Sequence, residues 1–268
     1  MSALSTPAAL GAPATGHHGF RQAAHMEWIK LRSLRSTFWA LFLVVAGMIA
    51  IGVVTMANTK APSAAKAASF DPTNNVLAGV ALGQLLIGVL GVLLVTGEYS
   101  SGSIRSTFAA IPDRRTVLAA KAAVYGGITL LVGEAVTFVT FFAGRAALRD
   151  GVPRPAVGDS GVLRALLMSG AYLALIALIG IGVGALTRHT ASAIAVLVGI
   201  TFVLPAVIGG VSGPAVAQFF PTMIAANSLA VAKTVPDMLA PWPGFLLMCG
   251  YAAAVLGAGG RLLARRDA

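Results

Sequence analysis

With 268 residues, of which 57% are hydrophobic and 10% charged, the chain has too few charges for a soluble domain, where roughly 25% is usual. It reads as an all-α polytopic membrane protein. The net charge of +10 would suit nucleic acid, but Lys and Arg mostly flank apolar runs rather than form one basic surface, so nucleic-acid binding is set aside. The single cysteine, Cys249, lies inside the last apolar run, which excludes an intramolecular disulfide and a cysteine-based metal site.

In chain order, residues 1–19 are rich in Ala, Ser, Thr, Pro and Gly. They lack the basic and apolar regions of a signal peptide and read as a disordered cytoplasmic tail, in which His17 and His18 have no further ligands for a metal. From Phe20 to Thr37, the residues Phe20, Ala24, Trp28 and Leu31 share one helical face, with Arg21, Lys30 and Arg32 largely off it. This predicts an amphipathic helix at the membrane surface, with Trp28 and Trp39 at the interface. Glu27 and Arg35 fall near the apolar arc and blur the pattern, so a plain extension of the first span is the competing reading.

Uncharged runs at 36–59, 72–97, 165–187 and 238–260 each exceed the ~20 residues that cross hydrocarbon. The run 122–144 also qualifies although it contains Glu134. The run 189–232 is too long for one straight helix and is interrupted by Pro205, Pro214 and Pro221, so it divides into one span and a re-entrant or interfacial segment. About six spans put both termini on one side. With that side inside, twelve Lys and Arg residues are cytoplasmic and seven external, including Arg145, Arg149, Arg154 and Arg164; the bias supports cytoplasmic termini. The four external arginines could hold anionic headgroups or substrate, but read more simply as a solvated loop anchoring two spans.

A polar island, Glu98 to Lys121, separates the second and third spans. Ile104, Phe108 and Ile111 fall at i, i+4 and i+7 and share a helical face, which predicts a short amphipathic helix of about two turns. Ser101 or Ser103 can cap its start, Gly102 eases the turn before it, and Pro112 ends it. Asp113 can cap the next helix, which carries Arg114, Arg115 and Lys121 toward the membrane.

Chemistry is sparse. Gly97 to Gly102 mimics the start of a phosphate-binding loop, but Ser103 stands where its lysine would be, so the chain has no nucleotide site. No hydrolase, zinc-protease or paired-carboxylate motif appears, and the chain is read as a non-enzyme. Glu134 is the one acid deep in a span. It reads either as a functional group facing a cavity or the substrate path, or as a protonated side chain hydrogen-bonded to a helix neighbour such as Gln84. Gly79/Gly83, Gly180/Gly184 and Gly209/Gly213 have the small-xxx-small spacing of close helix contacts.

The basic run Met26 to Trp39, the loop Gly97 to Lys121 and the end Ala240 to Ala268 together make the chain resemble the type-2 permease subunits of bacterial ATP-binding-cassette (ABC) exporters, actinobacterial examples especially. The resemblance implies that residues 20–268 form one permease domain. It also implies that Phe20 to Thr37 is an elbow helix, that Pro214 to Pro236 is re-entrant, and that the island is a coupling helix seated in a groove of a separate ATPase. By resemblance Glu98, Gly102, Ile104, Arg105, Phe108 and Pro112 carry coupling, and Lys121 is the lysine at which the chain returns to the membrane. The expected partners are that ATPase, holding ATP and Mg, a second permease subunit in a homo- or heterodimer, and the lipid of the bacterial plasma membrane. The expected activity is export of an amphipathic or lipid-like molecule or drug. The alternatives are a proton-coupled carrier using Glu134 and a membrane-embedded immunity or sensor module without substrate flux.

Overall fold

The computed structural model describes residues 19–33, 35–63, 69–232 and 238–265. The expected tail with His17 and His18, together with Lys66, Lys233, Pro236 and Arg266, lies outside these residues. Helix α1 (Phe20–Ser33) precedes the first span, α2 (Arg35–Ala57). The second span joins α3 (Pro72–Val76) through a 3-10 turn at Leu77–Gly79 to α4 (Val80–Ser100), and a short helix α5 (Ile104–Ala110) follows. Then come α6 (Arg114–Ala147) and α7 (Val162–Thr187), and a fifth span made of α8 (Thr190–Val198), a π turn at Gly199–Val203 and α9 (Leu204–Ser212). Two short helices, α10 (Pro214–Ala217) and α11 (Pro221–Leu229), lead to the last span, α12 (Pro241–Arg265). Among the described residues six helical stretches are long and apolar enough to cross a bilayer, so the protein is polytopic and all-α. Helix α6, at 34 residues, is about 50 Å long and far exceeds the ~30 Å hydrocarbon core; the expected 122–144 is only its middle.

Helix α7 is the axis of the bundle, packed on α4, α6 and α12 and far more buried than the other spans. Small residues let it in so closely. A Cβ at Gly180 would lie 2.3 Å from the Gly88 carbonyl oxygen of α4, and one at Gly91 would lie 2.5 Å from that of Ala177, so backbone meets backbone where side chains would force the helices apart. Gly79 does the same against the Met48 backbone, while Gly83 leaves room for the Met48 side chain. The third pair does not: Gly209 meets Ala217 at an ordinary 3.6 Å, and Gly213 instead serves a turn with φ +72°.

Proline shapes the fifth span. Pro205 has no N–H for the carbonyl four residues back, Thr201, and the helix widens into the π turn at that point. The Thr222 hydroxyl of α11 donates to the freed Thr201 carbonyl, tying the short-helix segment to the span before it. Its far end is held too. Arg164 donates to the carbonyls of Ser228 at 2.6 Å and Ala230 at 2.8 Å, while one Asp71 oxygen accepts from Val231 N at 2.7 Å and Ala232 N at 2.8 Å. The other Asp71 oxygen caps α3 through Asn74 N at 2.9 Å. Arg164 is therefore a structural clasp, which corrects its reading as part of a solvated loop.

Candidate functional site

The polar island folds largely as its residues dictate. Helix α4 ends at Ser100, with Ser101 as its cap, and Gly102 takes φ +74°, a left-handed turn that a side chain would strain. Helix α5 begins without the expected cap: Ser103 is itself in helical geometry and makes no capping bond, and Ser101 Oγ is turned back onto α4, donating to the Gly97 carbonyl at 2.8 Å while accepting from Ser103 N at 3.4 Å. Ile111, ahead of Pro112, is extended and ends the helix. Asp113 then caps α6, accepting from Arg115 N at 3.1 Å and Thr116 Oγ1 at 2.6 Å. The Thr116 hydrogen bond, with the Arg115 and Thr116 N–H groups, outweighs slight burial and holds the Asp113 carboxyl below its usual range.

The face of α5 is where expectation and structure part. Ile104 and Ile111 are buried, and Ile111 packs with Ala23 of α1 and with Val117 and Ala120 of α6, half-buried Phe108 resting on that cluster. The apolar face is thus filled by the protein's own helices α1 and α6. Arg105, Ser106, Ala109 and Ala110 form the open face, continued by Ser101, Gly102, Ser103 and Pro112.

Beneath α5 lies an ionic junction of four helices. Lys121 of α6 donates to Glu27 Oε2 of α1 at 2.7 Å and to Glu98 Oε1 of α4 at 2.9 Å. Lys30 of α1 donates to Glu27 Oε1 at 3.2 Å, to Glu98 Oε1 at 2.9 Å and to Thr107 Oγ1 of α5 at 3.0 Å, which uses all three donors of an ammonium. Glu27 and Lys121 are 2% and 4% exposed. Two acids and two bases cancel, so the cluster can be buried without net charge, and each hydrogen bond is charge-assisted. Burial alone would pull the Lys30 ammonium down, but the hydrogen bond it donates to Glu98 and the charges of Glu27 and Glu98 outweigh it and hold it above its ordinary 10.5.

Arginines brace the same end. The Arg188 guanidinium lies 5.2 Å from the Tyr99 ring centroid and the Arg114 guanidinium 5.0 Å from that of Phe108, and Arg114 also donates to the Leu263 carbonyl at 3.2 Å. The last span is thereby linked to the junction end.

Of the residues singled out in the sequence, the junction gathers Glu98 and Lys121 and reaches α5 through Thr107. Glu27 looked like a flaw in an amphipathic helix, yet it is the most buried of the four junction charges; Phe20, Trp28 and Ile29 turn outward instead. Its one sequence signal was Lys30 at i+3. The suggested pair of Glu134 with Gln84 is not formed. Gln84 accepts from the Tyr172 hydroxyl. Glu134 lies on α6 against Gly170 of α7, with Oε2 lacking a hydrogen-bond partner among the described residues.

A family model described as ABC-2 family transporter protein matches residues 24–207, a stretch that includes α1 from Ala24 onward, α5 and every residue of the junction. No curated protein matches the chain.

Proposed function

This chain belongs to the ABC-2 family of transporter proteins and is a membrane-spanning permease component of an ABC transporter; we propose that it works as an exporter of an amphipathic or lipid-like molecule, driven by a separate ATPase that binds ATP and Mg. In this reading two permease subunits, alike or different, form the translocating unit in a bacterial plasma membrane, with termini and α5 in the cytoplasm. The supporting observation is the junction. Thr107 of α5 and the charges of α1, α4 and α6 are bonded as one unit, so a displacement of α5 is passed to the elbow helix and to the second and third spans together. A rigid link of this kind is what a coupling helix needs.

The docking surface is the open face around Arg105, Ser106, Ala109 and Ala110, with Gly102 and Pro112 setting its two ends and Ile104 and Phe108 supporting it from beneath. Co-expression with an ATPase that carries a G-x-x-x-x-G-K-[ST] loop and co-purifies with the wild-type permease tests the proposal. Ala109→Trp should abolish co-purification of the ATPase while leaving the permease inserted, because a bulky side chain on the open face blocks close docking. Equal ATPase recovery with Ala109→Trp and wild type would remove α5 as the docking element.

A further inference from the structure

A second feature of α1 is not used by coupling. A cleft of about 360 Å³ opens between α1, α2 and α6, with Trp28 and Arg32 from α1, Thr37, Phe38 and Leu41 from α2, and Ile128 from α6 among its walls. Tyr125 closes it on the inside, its hydroxyl already donated to the Ile87 carbonyl. Arg32 lies 6.0 Å from the Trp28 ring centroid at the mouth, and Arg35 is the first residue of α2. Among the described residues no carboxylate pairs with Arg32 or Arg35, because Glu27 and Glu98 are held by Lys30 and Lys121.

We propose that this cleft binds one anionic phospholipid, its phosphate on Arg32 and Arg35 and an acyl chain along Leu41 and Ile128. The charge pattern carries the choice. Arg32, without an acidic partner, lines the cleft, Arg35 opens α2 two residues before the cleft residue Thr37, and apolar side chains line the slot, which is the complement of a lipid with a charged head and a hydrocarbon tail. The outer flank of α2 is aromatic and open, with Phe38 68%, Trp39 61% and Phe42 51% exposed, as expected of a surface at the level where headgroup meets acyl chain. The cytoplasmic leaflet is assigned through the orientation proposed above; the binding itself does not depend on it. Because α1 also holds Glu27 and Lys30 in the junction, an occupied cleft would fix the elbow helix that the coupling helix leans on.

The test uses the purified full-length chain with dioleoyl phosphatidylglycerol and dioleoyl phosphatidylcholine as probes. Retained lipid is read by native mass spectrometry and protection by thermal shift. Wild type should retain phosphatidylglycerol preferentially. The double variant Arg32→Gln/Arg35→Gln should bind it roughly 30-fold more weakly, or about 2 kcal/mol, at ~1 kcal/mol for each basic residue near a headgroup. Leu41→Trp, which fills the slot and keeps both charges, should lower retention as well. Unchanged retention in Leu41→Trp would overturn the cleft as the site. So would an equal loss in Arg145→Gln/Arg149→Gln, which removes the same charge at the opposite end and would indicate diffuse attraction. An equal thermal shift with glycerol 3-phosphate would assign the arginines to a soluble anion instead. None of these readouts involves the ATPase, so failure here leaves the transport reading standing.

Discussion

At the scale of residues, the junction makes a sharp energetic demand. Removing one partner from a buried ionic cluster strands the other charge and costs about 3–5 kcal/mol, whereas removing an acid and a base together leaves a balanced remainder. Lys121→Met should therefore lower thermal stability in detergent strongly, and Glu27→Gln/Lys121→Met should recover part of the loss; additive effects would mean that Lys121 and Glu27 do not share a bond in solution. The pH dependence has a definite sign. Because the Lys30 pKa is raised in the folded state, its contribution is fully present below 10.5 and is lost only as pH rises through the folded value. The link should thus be insensitive to pH around neutrality. Gly170→Ala makes a separate case: its Cβ would lie 2.6 Å from Glu134 N and 2.5 Å from Glu134 Cδ, so α6 and α7 must part, at about 1–3 kcal/mol. Glu134→Gln keeps the shape and should leave stability near wild type, as differential scanning fluorimetry of both variants would show. Position in the sequence singled out Glu98 and Lys121, since each flanks a span. Their bonds to Glu27 and Lys30 were not legible, because periodicity describes the faces of one helix and says nothing of a partner 94 residues away.

At the scale of elements, sequence rules located boundaries better than neighbours. Pro112, Asp113 and Gly102 set the ends of α5 and α6 through local backbone chemistry, and the structure places each as expected. The direction in which α5 turns its apolar face was decided by α1 and α6, which no local rule contains. One consequence concerns Phe108. Half-buried on the protein's own cluster and covered by Arg114, it supports the helix, so Phe108→Ala should loosen α5 and raise protease cleavage in 101–113 even with no ATPase present. Cleavage at the wild-type rate without the ATPase would show that Phe108 does not hold α5 in place. The fifth span shows the same division. Pro205 announced an interruption, but the hydroxyl that answers the Thr201 carbonyl comes from Thr222 on another helix. Thr222→Val strands that carbonyl at a cost of about 1–3 kcal/mol, and Thr222→Ser should restore most of it; equal thermal stability of Thr222→Val and wild type would show that the carbonyl has another partner.

At the scale of the whole molecule, the two ends of the bundle are fastened differently. The six spans follow from uncharged run lengths alone, and the structure bears out their number and order, with one span and short helices in the proline-broken run. What composition could not convey is that α5, α1 and α12 are drawn together at one end by ion pairs, arginine stacking and the Arg114 bond to Leu263, while the opposite end is closed by two side chains holding backbone.

That opposite clasp is the feature best placed to release during a transport cycle. The segment following α11 is gripped at consecutive backbone groups, with Arg164 taking the carbonyls of Ser228 and Ala230 and Asp71 the N–H groups of Val231 and Ala232. Neither grip depends on the junction, so the clasp end can open without dismantling the junction end. Each bond to a charged group contributes about 1.5–3 kcal/mol, so Asp71→Ala should free the segment while Thr222, bonded to Thr201, keeps the start of α11 in place. In a variant with Cys249→Ala and a reporter Val231→Cys, the expected outcome is faster thiol labelling by a membrane-impermeant maleimide when Asp71→Ala is added. Under the orientation proposed here the reaction occurs from outside intact cells. Labelling only after the cytoplasmic face is exposed would reverse the topology. A rate unchanged by Asp71→Ala would show instead that the segment is held by its packing against α7 and α12, and that the clasp is not what closes this end.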